Sequence, residues 1–139
     1  MKLESHIQEL ALTLEIDAPA LEGGVYNFDF EDDIKVSVKE LDLEGYTFDS
    51  VVCTIDDELL SEDLLQIMLQ GNLFGQLTGG SALALSPEKN EITLKKDCYK
   101  ILNSKEFIED FEDFINYVDF WKEEVPQQIN QKKQQKGLL

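Results

Sequence analysis

Phe107, Ile108, Phe111, Phe114, Ile115, Val118, Trp121 and Val125 recur at intervals of three and four. That spacing predicts one long helical stripe, heavily aromatic, that cannot face water. The fold must therefore offer it an apolar surface of matching length. Ser104 is placed to cap the start of this helix, with acids following in the first turn. Pro126 should end it, because proline has no N–H for the helical ladder. The stretch after Pro126, "QQINQKKQQKGLL", shows no period and reads as a mobile Gln/Lys-rich tail, leaving residues 1–125 as a single domain.

The matching surface is supplied by segments of period two. Tyr26, Phe28 and Phe30 alternate with Asn27, Asp29 and Glu31, and Ile34, Val36 and Val38 alternate with Lys35, Ser37 and Lys39. An Asp32-Asp33 turn between them makes an antiparallel hairpin with one apolar face. "DLEG" (Asp42 to Gly45) turns into a third strand, "YTFDSVVCTI", rich in β-branched residues. "SALALS" and "EITLKKD", joined by "PEKN", form a further hairpin. Leu3, Ile7, Leu10 and Leu14 mark a first helix, ended by Pro19 and Gly23-Gly24. A second helix starts between Asp57 and Ser61 and runs to about Gln70. The order α-β-β-β-α-β-β-α, with hairpins joined by helices, indicates an α+β fold: an antiparallel sheet with helices packed on one face. In the second helix Leu60, Leu64, Leu65, Ile67, Met68 and Leu69 span about half the circumference, more than the ~100° that one sheet contact needs. A second copy of the chain is the economical cover for the excess, so a homodimer is expected.

Charge narrows the partners. The 139 residues hold 29 acidic against 12 basic ones. Lys132, Lys133 and Lys136 all follow Pro126, where there is no acid, so residues 1–125 carry 9 basic and 29 acidic residues. Such a body repels phosphate backbones and anionic lipid, so neither nucleic acid nor membrane is an expected partner. The acids serve solubility, or attract a basic partner, or mimic a polyanion. "MKLESHIQEL" has no uninterrupted apolar run, so no signal peptide is expected, nor any membrane span later in the chain, and the expected location is cytoplasmic. Cys53 and Cys98 lie in strand-like runs without CxxC spacing and read as buried thiols.

Chemistry-bearing patterns are weak. Gly71, Gly75, Gly79 and Gly80 sit between a helix and a following strand, the reverse of a phosphate-binding loop, and no lysine lies among them. They form a hinge, with Gly71 or Asn72 terminating the helix in a left-handed conformation. Asp29, Glu31, Asp33 and Glu40 match calcium-loop spacing, but Ile34 stands where that loop needs glycine and the flanks are strands. His6 is the only histidine and is expected on an exposed helix face, without partners for a triad or zinc site. No catalytic, metal or cofactor site, and hence no enzyme, is expected.

Three segments resemble a known family. "LLQIMLQGN" (Leu64 to Asn72) is similar to a second helix ending in Asn, "TGGSALALSPEKNEITL" (Thr78 to Leu94) to a second hairpin, and "FINYVDFWKEEV" (Phe114 to Val125) to a last helix with a late Trp. Together with size, acidity and element order, over residues 1–125, the chain resembles the class I chaperones of bacterial type III secretion, the Tir-chaperone (CesT-like) group. The basic tail is outside that pattern. The resemblance implies a cytoplasmic, non-enzymatic homodimer that holds the N-terminal segment of one or more secreted effectors in extended form. Effector proteins and secretion-apparatus components would be its partners. It implies a dimer interface through the second helix, at Leu60, Leu64, Ile67, Met68 and Leu69. Client contacts would come from the first helix and early strands, among Leu3, Ile7, Leu10, Leu14, Phe28, Phe30, Val36 and Val38. Only those that the fold leaves exposed can meet a client. The alternative is an acidic adaptor, regulator or polyanion mimic of related fold, without an unfolded client.

Overall fold

The computed structural model of the chain describes residues 3–42, 44–55, 61–73, 80–86, 90–99, 103–135 and 137. The alternation read between Val25 and Val38 is realised as two strands, β2 (Val25–Asp29) and β3 (Lys35–Glu40). Between them Glu31–Asp33 forms a single 3-10 turn, with Asp32 and Asp33 at φ of 63° and 59°. Aspartate tolerates that left-handed conformation better than most residues. A strand not read in the sequence precedes them: β1 (Leu21–Glu22) pairs with Val25 and Tyr26 across Gly23 and Gly24. Both glycines have positive φ, as a two-residue hairpin turn requires. β4 (Tyr46–Thr54), β5 (Ala82–Ser86) and β6 (Glu91–Cys98) complete an antiparallel sheet of order β1-β2-β3-β4-β6-β5.

One face of the sheet is apolar. Tyr26, Phe28, Val36, Val38, Phe48, Leu83, Ile92 and Leu94 are buried there. The opposite face presents Asn27, Lys35, Lys39, Asp49, Lys95 and Asp97, with opposite charges paired across strands at Asp29–Lys35 and Asp49–Lys95. Three helices cover the apolar face: α1 (Leu3–Leu14), α2 (Ser61–Asn72) and α3 (Ser104–Gln135). The stripe of α3 lies over the central strand β4, where Phe48 meets the rings of Phe107, Phe111 and Phe114 at centroid separations of 5.7, 5.4 and 5.3 Å. α1 packs beside α3, and α2 packs against β5 and the later part of α3.

Several sequence expectations are corrected. Asn103, not Ser104, caps α3: its Oδ1 accepts from the Glu106 N–H at 2.8 Å while its Nδ2 donates to Glu106 Oε1. Ser104 Oγ lies 3.0 Å from Nδ1 of His6 instead. His6 is buried rather than exposed, stacked on Phe107. Cys53 and Cys98 are half-buried. Gly71 does not terminate α2 in a left-handed turn, since it is buried within the helix. A Cβ there would lie 2.6 Å from Leu83 Cδ1 and 2.9 Å from Trp121, so glycine is what lets α2 sit this close. Gly75, Gly79 and most of the "PEKN" turn lie outside the described residues.

Pro126 does not end α3. Its missing N–H leaves the carbonyl of Lys122 without a helical donor, a cost of about 3 kcal/mol in a helix interior. The helix nevertheless continues, with Val125 and Lys133 buried, Ile129 packed on the core, and Lys132 Nζ donating to Gln66 Oε1 on α2 at 2.7 Å. Burial on both sides of the proline outweighs the lost bond.

Candidate functional site

α2 has two apolar stripes, and the fold uses one. Leu64 and Ile67 are buried in the chain's own core and Met68 is half-buried, so Leu64 and Ile67 are not free to form an interface. Leu60 lies outside the described residues. Leu65, Leu69 and Leu73, four residues apart, form the outer stripe and are 55, 68 and 59% exposed. Of the expected interface set, Leu69 lies on that stripe. Leu65 and Leu73 were missed, although their spacing of four from Leu69 was the available signal.

The expected client residues divide in the same way. Leu3, Ile7, Leu10, Phe28, Val36 and Val38 are core side chains, covered by α3 and the sheet, and cannot touch a client in this conformation. Leu14 and Phe30 are partly buried at the core's margin. The apolar side chains that remain accessible at this end are Leu12 and Ile16, at the end of α1, and Leu21 on β1. Each lies off the periodic stripe of its segment, which is why pattern reading passed over them: periodicity finds what is buried, whereas a client needs what is not.

The two sheet edges differ. At β5, the Asn72 side chain bonds the outward backbone of Leu83 twice, accepting from its N–H at 2.6 Å and donating to its carbonyl at 3.0 Å. An amide used this way occupies the place of a neighbouring strand and blunts the edge. At the other end β1 pairs only with Val25 and Tyr26. The outer side of β2 at Asn27, Phe28 and Asp29 therefore has no strand partner among the described residues.

A polar cluster joins β4, β6 and α3. Tyr46 donates to Asp110 Oδ2 at 2.9 Å, and Asp110 pairs with Lys96. Burial, followed by Cys98 and Asp110, pushes the Tyr46 hydroxyl far above its ordinary value, so it stays a donor. Its role is to satisfy buried polar groups at a three-element junction. Among the described residues no group of His, Cys, Asp and Glu could hold a metal ion, and no helix is long and apolar enough to cross a membrane.

This fold is shared with chains of several solved complexes. A chain of the HopA1–SchA chaperone–effector complex superposes with a TM-score of 0.68 at 14% identity, over 87% of this chain and 93% of that one. A chain of the ExsC–ExsE complex gives 0.69 at 12%, over 86 and 90%. A chain of the complex between the Yersinia pestis type III secretion chaperone SycH and a fragment of YscM2 gives 0.62 at 17%, over 86 and 97%. In sequence, a protein of Chlamydia pneumoniae is 28% identical over 109 residues, 78% of this chain and 80% of the relative. The family profile of the Tir chaperone protein (CesT) family matches residues 5–122. The chain belongs to that family, and is a type III secretion chaperone of the effector-binding class.

Proposed function

We propose that the chain works in the bacterial cytoplasm as a homodimer that holds the N-terminal segment of one or a few effectors in extended form before export. Two copies join through the Leu65–Leu69–Leu73 face of α2, beside the blunted edge of β5. The client segment adds along the open edge of β2 and sets apolar side chains against Leu12, Ile16 and Leu21, the strand-addition mode of peptide recognition. The observation that supports this most is the combination of exposed leucines with an unpartnered strand edge on an acidic body. A polyanion mimic would meet its target mainly through carboxylates and would have no use for these leucines. Secretion-apparatus components would receive the loaded complex.

The test is genetic and then physical. A strain lacking this chain should export one or a few effectors poorly while exporting the rest normally. The N-terminal segment of such an effector, fused to a reporter protein, should co-elute with the purified chain. Leu12→Glu and Leu21→Glu should each weaken that complex while leaving the circular dichroism unchanged. Full binding by both variants would place the client elsewhere. Binding by a folded C-terminal part alone would exclude an extended client.

A further inference from the structure

From Pro126 onward the chain has three lysines and no acid, whereas residues 1–125 hold 9 basic and 29 acidic residues. α3 continues as helix from Pro126 to Gln135, about 15 Å at 1.5 Å per residue. One side of this extension is occupied, with Ile129 packed on the core and Lys133 buried. The other side shows Gln127, Asn130, Gln131, Gln134 and Gln135 to solvent. We propose that the extension forms the flank of the contact between two copies of the chain, where Lys132 meets a carboxylate of the second copy. The inference rests on the α2 contact proposed above for where the copies meet. What the extension adds there rests on its own position and charge.

Position argues first. Lys132 Nζ donates to Gln66 Oε1 at 2.7 Å. Gln66 stands three residues before Leu69, so the two are neighbours on the surface of α2. The bond therefore sets the ammonium beside the middle of the exposed Leu65–Leu69–Leu73 stripe. Glu62, three residues before Leu65 and exposed, lies on the same face. Charge argues next. The bond to Gln66 is to a neutral amide, and among the described residues no carboxylate forms an ion pair with Lys132, in a chain of 29 acids. Two copies at −17 each repel one another, most strongly where their surfaces come closest. A cation at that seam replaces repulsion with attraction. A two-fold contact brings one patch against itself, so the patch has to carry both signs. Glu62 and Lys132 supply them on either side of the leucines. Other occupants fit less well. A phosphate backbone or an anionic lipid surface would meet the acidic body around the extension, and a basic peptide has nothing to gain from a lysine.

The experiment measures the dimer dissociation constant of the full chain by sedimentation equilibrium. Lys132→Glu should raise it about tenfold, because in a two-fold contact the reversal acts twice. Lys132→Arg, which keeps the charge, should dimerise like the unaltered chain. Raising salt from about 50 to about 500 mM should close most of the gap between Lys132→Glu and the unaltered chain, since screening removes what charge contributed. Carbodiimide treatment of mixed 14N- and 15N-labelled chains should join Lys132 of one isotope to a carboxylate of the other. An unchanged constant for Lys132→Glu, a loss shared by Lys132→Arg, a gap indifferent to salt, or Lys132 links within single chains only would each overturn the proposal. Its failure is separable from that of the α2 contact. If Leu69→Glu gives a monomer and Lys132→Glu dimerises normally, only the extension's role falls. If Lys132→Glu weakens a dimer that survives Leu69→Glu, the extension's role stands and the leucine stripe falls. A chain that stays monomeric at every concentration overturns both.

Discussion

Gly71 shows how much one missing side chain decides. In a helix interior glycine costs roughly 1 kcal/mol relative to alanine, so by propensity Gly71→Ala should stabilise α2. The structure reverses that sign, because the added Cβ would lie under 3.0 Å from both Leu83 and Trp121. Gly71→Ala should lower unfolding stability by about 1–3 kcal/mol, as overpacking of a filled core does. Thermal or denaturant unfolding will show it. Asp49, on the polar face of the sheet, gives a prediction with a pH sign. Burial raises its carboxyl above the ordinary 3.8, while Lys95 and Lys39 pull the other way. A carboxyl that holds its proton more tightly folded than unfolded costs stability wherever both states are ionised. That cost is absent below 3.8 and is complete above the raised folded-state value. Asp49→Asn should therefore raise Tm at neutral pH, and the gain should vanish as pH falls below the ordinary aspartate range. A gain independent of pH would mean that desolvation of Asp49 is not its source.

Among the elements, α3 and α2 depend on each other in a way neither segment announces. The part of α3 beyond Pro126 contributes Ile129 to the core's margin, the buried Lys133 and the Lys132–Gln66 bond. A chain ending at Val125 should lose on the order of 1–3 kcal/mol of stability. Its α2 amides should exchange hydrogen faster than those of β4; unchanged exchange in α2 would show that the extension merely rests there. At the other end of α2, Asn72 ties the helix to the edge of β5 through both atoms of its amide. Asn72→Ala should cost about 1–3 kcal/mol, because it leaves the Leu83 backbone groups unpaired. It should also make the protein prone to edge-to-edge association, visible by light scattering as a concentration-dependent rise in mass.

For the whole molecule the question is how two copies meet. Three leucines in a row, each more than half exposed, are an unusual surface for a chain this acidic. Burying each would contribute about 1.5–3 kcal/mol. The native mass should be twice 15.9 kDa at low micromolar concentration. Leu69→Glu should give a folded monomer, because a carboxylate would otherwise be buried at the seam. Leu64→Glu should instead unfold the chain, since Leu64 belongs to the core. A dimer that survives Leu69→Glu would exclude the outer face of α2 as the interface.

Periodicity alone was enough to place α1, the β2–β3 hairpin, β4, the β5–β6 hairpin and the stripe of α3, because each follows from which residues must leave water and at what spacing. It was also enough to show that α2 has more apolar surface than one contact uses. It could not say which leucines of α2 face inward, since Leu64 and Leu65 are alike in composition and differ only in where β5 and Trp121 stand. β1 was invisible because two residues have no period, and it exists only where β2 offers an edge. The helix past Pro126 was invisible because local propensity forbids it and packing against the core and α2 overrides that rule. The client surface belongs to the same class. Exposure is a property of the assembled chain, so the sequence could supply candidates such as Val38 and Phe28, and only tertiary packing could move them into the core and leave Leu12, Ile16 and Leu21 outside.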